Sequence, residues 1–232
     1  MLGKTLLHIC LVVLVVLVVG SNTAIASYRM HFFLPDFPPY TMPDEQGNAV
    51  GIGVDKMKLI LDSIDVDYTF KVGSNHGRAL SELRSGRSDG FFMASQNEQR
   101  DQFAKFANSV MVNRWVWVVR RQSREYFDPE NKEKYVVASL VNTNTNFWLN
   151  KSGYKTAAPA SDIKSLISKL SSKEVDAVFV AQEVFNEEFK YDTRFQIMVQ
   201  VEKEFSVYIS NAFLKKHPEF MEKLNRAIEK HR

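Results

Sequence analysis

The chain has 232 residues, a formal charge of +3 and a single cysteine, Cys10. That length suits one large or two small domains, and one cysteine excludes an intrachain disulfide. So small a charge, with no clustered basic face, argues against nucleic acid, whose phosphates select such a face.

Lys4 precedes an apolar run, Leu11 to Val19, and then the small-residue stretch Ala24-Ile25-Ala26. This is the arrangement of a secretory signal with cleavage after Ala26. The run is shorter than the ~20 residues of a membrane span, and no lipid-anchor pattern precedes Cys10. Cleavage removes both Lys4 and Cys10, so the exported chain must be stabilised by core burial alone.

From Tyr28 onward, strand and helix patterns alternate. "YRMHFFL" reads as a strand and Pro35 to Pro39 as a turn, after which Val54, Met57, Ile60, Leu61 and Ile64 recur at helical spacing. Val66, Tyr68, Phe70 and Val72 alternate as a strand does. A helix over Arg78 to Ser85, closed by Gly86, leads to a strand over Asp89 to Met93. "NRWVWVVRRQ" is an extended apolar segment.

The second half repeats the scheme. "YVVASLV" is a strand, Thr145 to Lys151 a short helix ended by Gly153, and Ser161 caps a helix whose stripe is Ile163, Leu166, Ile167 and Leu170. A strand over Val175 to Val180 follows, then the strand "FSVYIS", and Pro218 opens a closing helix with Phe220, Met221, Leu224, Ala227 and Ile228 on its apolar side. The basic residues 230–232 suit its C-terminal end.

"ALSELRSGRSDGFFM" (Ala79 to Met93) overlies "LISKLSSKEVDAVFV" (Leu166 to Val180) at a constant offset of 87 residues. Leu83 falls on Leu170, Ser85 on Ser172, Asp89 on Asp176 and Phe92 on Phe179. Two lobes of similar construction are expected: 27–117 with 206–232 as the first, discontinuous lobe, and 118–205 as the second. Crossings near Val116 to Arg120 and Val199 to Phe205 would form a two-strand hinge over a cleft that opens and closes.

In an open α/β sheet, ligands sit beyond the carboxyl ends of strands. "SDGFFMASQNEQR" (Ser88 to Arg100) carries serine, asparagine and arginine past such an end. These residues raise the question whether Arg100 holds a ligand there, since a guanidinium fork can match a carboxylate bidentately.

Together with "FPPYTM", "GNAVGIGVDKMKLI", "LRSGRSDGFF", "SQNEQRDQFAKFANSVM", "VNTNTNFWL" with "SGY", and "VDAVFV", this segment resembles the extracytoplasmic solute-binding proteins of family 3, which serve polar amino acid transporters. The resemblance implies an α/β type II periplasmic-binding fold, each lobe a mixed sheet flanked by helices. It also implies a monomer in the periplasm that hands a small carboxylate-bearing solute to an inner-membrane permease of the ABC type, with no cofactor, metal or nucleic acid.

The family's signature arginine and hydroxyl map onto Arg100 and Ser95, with the backbone at Met93 facing the same ligand. Phe37 and Tyr40 fall where a ring lies against the ligand, with Phe37 preferred, and His76 where a large side chain lines the cleft. Thr143 and Asn144 match a hydroxyl-rich turn that opens a helix toward the ligand's anionic end, while Asn142 replaces the usual glycine. One departure concerns the ammonium: Ala181 stands where amino acid binders of the family carry an aspartate. The solute is then either a carboxylate without a standard α-amino group or an amino acid held by the nearby Glu183.

Asp55, Asp89 and Asp176 stand at helix and strand starts, where capping and turn roles are expected rather than catalysis. Two other functions stay open. The fold also resembles cyclohexadienyl dehydratases, in which Glu183 or His76 would have to act as the acid, and a ligand-loaded partner of a sensory receptor is a third reading. No nucleophile with an adjacent base, no paired carboxylates and no phosphate loop support catalysis more directly.

Overall fold

The computed structural model describes residues 28–232, so the signal segment expected over 1–26 lies outside the described residues. Strand β1 (Tyr28–Pro35) is followed by a small hairpin, β2 (Met42–Pro43) and β3 (Ala49–Val50), and by helix α1 (Ile52–Asp62). Next come β4 (Val66–Gly73), α2 (His76–Arg84), β5 (Gly90–Ala94), the one-turn α3 (Glu98–Asp101) and β6 (Ala104–Phe106). The long β7 (Met111–Arg120) leads to β8 (Val136–Ala138), α4 (Asn144–Lys151), β9 (Lys155–Thr156), α5 (Ile163–Ser171), β10 (Ala177–Ala181) and α6 (Gln182–Phe189). Strand β11 (Phe195–Ser210) then returns, and α7 (Asn211–Lys216) and α8 (Phe220–His231) close the chain. Among the described residues no helix is long and apolar enough to cross a membrane.

The main sheet runs β4-β1-β5-β11-β7-β10-β8-β9, with β6 also on β11. Its two halves are parallel (β4-β1-β5 and β10-β8-β9) and are joined by antiparallel β7 and β11. Strand β11 pairs with β7 from Phe195 to Phe205, then changes partners and pairs with β5 and β6 from Ser206 to Ser210. Trp115–Val119 of β7 already pair with β10, so the ladder of the second half begins ahead of residue 118. Two mixed sheets flanked by helices and joined by two long strands follow from this order.

Period-2 burial explains the layers of β10, while β5 departs from strict alternation at Met93, where φ is 56. In β5, Phe91 and Ala94 join a cluster with Phe33, Leu80, Leu83 and Tyr208 on one face, while Phe92 and Met93 join the large core on the other. In β10, Ala177 and Phe179 pack with Trp115, Trp117, Leu149 and Tyr154, and Val178 and Val180 face the large core. Trp117 is wholly buried, 4.5 Å from Phe179 and 5.3 Å from Tyr154 between ring centroids. Deleting such a ring typically costs ~3–5 kcal/mol.

The 87-residue repeat extends further than the aligned segment. Helices α2 and α5, and strands β5 and β10, have equivalent limits. Asn75 caps α2 by accepting from Arg78 N (3.0 Å), and Asp162 caps α5 by accepting from Ser165 N (2.8 Å). The expected cap, Ser161, instead donates to the Asp162 carboxylate, because the helix starts at Ile163 and so places Asp162 at the N-cap. Asp89 N donates to His31 O while Asp89 Oδ2 accepts from His31 N, and Asp176 makes the same pair of bonds to Val136.

Candidate functional site

Two glycines set the entry loop. Gly51, at φ 122, has no room for a Cβ, which would lie 2.6 Å from Tyr40 O, and a Cβ on Gly53 would strike the Met93 side chain. Residues 37–41 can therefore lie against the start of α1, where Gly53 N donates to Tyr40 O (2.9 Å) and Ile52 N to Pro39 O (3.0 Å). Phe37 is thereby turned toward the cleft between the two sheet halves, with its ring stacked on Tyr40 and edge-on to His76 (4.9 Å).

Between the halves lies a narrow cavity of about 20 Å³, lined by Phe37, His76, Ser95, Arg100, Asn113, Trp115, Leu140, Thr143, Asn144, Thr145, Val180, Ala181 and Phe205. Two wider openings share His76 and Thr143 with it. One holds Asp36, Asp162, Lys164, Glu187 and Glu188, the other Arg84, Asn97, Asn142, Asn146 and Asn150.

Arg100 reaches the cavity from α3. Asn97 caps that turn by accepting from Arg100 N (2.9 Å), its own N–H donates to the Tyr208 hydroxyl (3.0 Å), and that hydroxyl donates to Asp101 (2.9 Å). The turn is thus pinned to β11. The side chain is 5% exposed, donates from Nη1 to Ser95 O (2.7 Å), and lies 5.7 Å from the Phe91 ring centre. Burial lowers its pKa to about 10, with Tyr208 and Asp101 pulling the other way, so it stays a cation at neutral pH. It takes part in none of the ion pairs among the described residues. Beside it the Ser95 hydroxyl is buried and has no hydrogen-bond partner. A desolvated cation with no carboxylate in direct contact and an unsatisfied hydroxyl are both costly unless something anionic completes them.

His76 opens α2 and is 6% exposed. Its Nε2 donates to Met93 O (3.0 Å), and burial, aided by the Arg100 charge, lowers its pKa to about 3, so the ring is neutral. From the second half, Thr143 caps α4. Its hydroxyl accepts from Asn146 N (3.2 Å) and donates to Leu140 O (2.7 Å). Asn144 spans the cleft: Nδ2 donates to Ser95 O (2.8 Å), and Oδ1 accepts from Asn97 Nδ2 (2.5 Å). Asn142 adopts φ 58, a left-handed conformation asparagine tolerates, so it supplies the backbone shape of the glycine it replaces.

The structure brings Arg100, Ser95, Phe37, His76, Thr143 and Asn144 to one cavity and leaves three expected residues outside it. Tyr40 is 1% exposed behind Phe37 and donates its hydroxyl to Asn113 Oδ1 (3.3 Å), so it backs the wall without forming it. Met93 is buried at φ 56, and its carbonyl is taken by His76. Glu183 is exposed in the first turn of α6, 3.4 Å from the Asn186 amide, and does not line the cavity, although its charge is felt at the buried Tyr40 hydroxyl. Ala181 lines the cavity directly.

Sequence reading missed Asn113, Trp115, Leu140, Thr145, Val180 and Phe205. Asn113 and Trp115 share one face of β7, and Phe205 opposes the start of that strand. Alternation in "NRWVWVV" could have grouped the first two, but only strand pairing shows that this end of β7 meets the cleft.

A family model described as bacterial extracellular solute-binding proteins, family 3, matches residues 32–232. No curated protein sequence matches the chain. Among solved structures, the arginine-bound form of truncated ArgBP from T. maritima is 20% identical, covering 88% of this chain and 96% of that one, with a TM-score of 0.70. The GLUR0 ligand-binding core in complex with L-glutamate is 12% identical over 88% and 92%, with a TM-score of 0.74. AncCDT-1, an ancestral amino acid-binding protein described as a precursor of cyclohexadienyl dehydratase, is 16% identical over 87% and 88%, with a TM-score of 0.70. At these identities the likeness concerns the fold.

Proposed function

The chain belongs to the bacterial extracellular solute-binding proteins of family 3, and from that premise we propose that it captures a small, carboxylate-bearing polar solute, an amino acid or a relative of one, by closing two lobes on it. It works in the periplasm as a monomer, after cleavage behind Ala26, and delivers the solute to the membrane permease of an ABC-type transporter. The lobes meet along β7 and β11, and no covalent step is required.

One observation carries this reading: a buried guanidinium without a carboxylate partner, beside a buried hydroxyl with none, in a cavity between the two halves. A bidentate carboxylate on Arg100 would add charge-assisted bonds of roughly 1.5–3 kcal/mol each. Ser95 would supply one more donor. Asn97, Asn144 and the pair Lys151–Glu98 (3.5 Å) already join the two sides of the cleft, the contacts a closed form needs.

A dehydratase is the second reading, favoured by the fold likeness to AncCDT-1. It would need a proton donor at the solute. His76, with its pKa lowered to about 3, and Glu183, outside the cavity lining, are poorly suited to that task. Capture therefore ranks first.

A thermal-shift screen of small metabolites tests the proposal. A ligand at a hundred times its Kd stabilises the protein by about 2.7 kcal/mol through mass action. Arg100→Ala should abolish the shift and leave the far-UV circular dichroism unchanged, whereas an undiminished shift would refute the assignment. Release of product from prephenate or arogenate would favour the second reading.

A further inference from the structure

We infer that the cavity selects carboxylates that carry no ammonium on the α-carbon, such as 2-oxo, 2-hydroxy or unsubstituted acids. The inference rests on the carboxylate-capture reading of Arg100 and deepens it.

The reason is an accounting of acceptors. An ammonium next to the captured carboxylate brings three N–H donors and a positive charge into a narrow space that already holds the Arg100 cation. No aspartate or glutamate lines that space. Each nearby neutral acceptor already takes at least one hydrogen bond, and Ser95 O takes two. Ser95 O takes Arg100 Nη1 and Asn144 Nδ2, and Met93 O takes His76 Nε2. Leu140 O takes the Thr143 hydroxyl, Asn113 Oδ1 the Tyr40 hydroxyl, and Asn144 Oδ1 the Asn97 amide. The acceptors left are uncharged: the second lone pairs of the singly bonded oxygens, Nδ1 of His76 and hydroxyl oxygens. What the cavity has to spare is donors, the remaining guanidinium N–H groups and the Ser95 hydroxyl.

The rest of the wall is apolar or aromatic: Phe37, Trp115, Leu140, Val180, Ala181 and Phe205. The carboxylates of the neighbouring opening do not line the cavity. Asp162 there caps α5 and Glu188 pairs with Lys164 (3.1 Å), while Asp36 and Glu187 take part in no ion pair among the described residues and lie outside the cavity lining. A 2-oxo or 2-hydroxy oxygen meets these conditions where an ammonium does not. The oxygen accepts from the spare donors, and the solute's single negative charge balances the single cation.

The test is calorimetry on the mature chain with matched pairs that differ only at the α-carbon: leucine and 4-methyl-2-oxopentanoate, phenylalanine and phenylpyruvate, glutamate and 2-oxoglutarate, arginine and its 2-oxo analogue. For the pair whose side chain fits, the ammonium-free member should bind at least tenfold more tightly. Equal or tighter binding of the amino acid would overturn the inference and leave carboxylate capture standing. Failure of every member to bind would overturn carboxylate capture itself, and the inference with it.

Ala181→Asp gives an independent arm. Ala181 is the N-cap of α6 and makes no side-chain cap, so an aspartate there suits the helix while placing an acceptor at the cavity wall. This variant should shift the preference toward the amino acid by tenfold or more, and Ala181→Asn should not. An unchanged preference in the folded aspartate variant would count against the inference.

Discussion

Acidification should destabilise this protein through His76 specifically. The ring is buried against Phe37, faces the Arg100 guanidinium and donates to Met93 O, so its charged form is disfavoured and its pKa falls from 6.5 to about 3. Between those two values the unfolded chain holds a proton that the folded chain excludes. Stability is therefore intact above pH 6.5 and is lost as pH falls, by about 1.4 kcal/mol per unit. At pH 5 the loss reaches about 2 kcal/mol, a sizeable share of the ~5–15 kcal/mol a domain usually has. Urea melts of the wild type and His76→Gln at pH 7 and pH 5 would measure it, since glutamine keeps a donor for Met93 O and does not titrate. Other groups titrate alike in both proteins and cancel in the double difference. The wild type should lose about 2 kcal/mol more than the variant over that interval. Equal losses would refute the neutral, desolvated His76 on which the reading of this wall depends.

Two further outcomes follow from the geometry. Asn144→Ala removes both bonds by which that side chain joins the halves of the cleft; at about 1 kcal/mol each, solute affinity measured by calorimetry should fall roughly tenfold or more, with little change in the Tm of the unliganded protein. Lys173 adopts φ 65 at the position equivalent to Gly86, which adopts φ 72. Lys173→Gly should raise stability in denaturant melts by about 1 kcal/mol, and Gly86→Ala should lower it by a similar amount.

The fold was legible wherever periodicity and punctuation agree. The stripe Val54–Met57–Ile60–Leu61 gave α1, the alternation from Val66 gave β4, and Gly86 and Gly153 mark helix ends at φ 72 and 76. The place of Arg100 at the cleft was legible because it follows the carboxyl end of a buried strand, where an open α/β sheet seats its ligands. Tyr40, Met93 and Glu183 were not, for three separate reasons. A ring near a cleft can form the wall or back it, and Tyr40 backs it because its hydroxyl finds Asn113 on a distant strand. A carbonyl can face a ligand or a neighbour, and His76 arrives first at Met93. A carboxylate one residue past a helix start points wherever the helix axis sends it, and the direction of α6 is set by packing of Val184 and Phe185. Each outcome depends on a partner far away in the sequence.

The repeat gives a reason for the site's location. Cap, helix, left-handed turn, bridging aspartate and strand recur at the same offset through Ala94 and Ala181, the last residues of β5 and β10. Up to that point the two copies do the same structural work, and a substitution in either is governed by the same contacts. Beyond it they part. One chain runs through Ser95 and Asn97 into the turn that carries Arg100, while the other enters α6 at once from an alanine with no side-chain cap. Both divergent ends contribute to the same cavity, one giving a cation and a hydroxyl, the other a methyl group. A common scaffold thus presents two strand ends to one cleft, and its chemistry lies in the residues the repeat does not constrain. Changes at Ser95 and Arg100 should therefore alter ligand preference with small effect on the ladders that hold each half together, whereas Ala181 still pairs with Trp115.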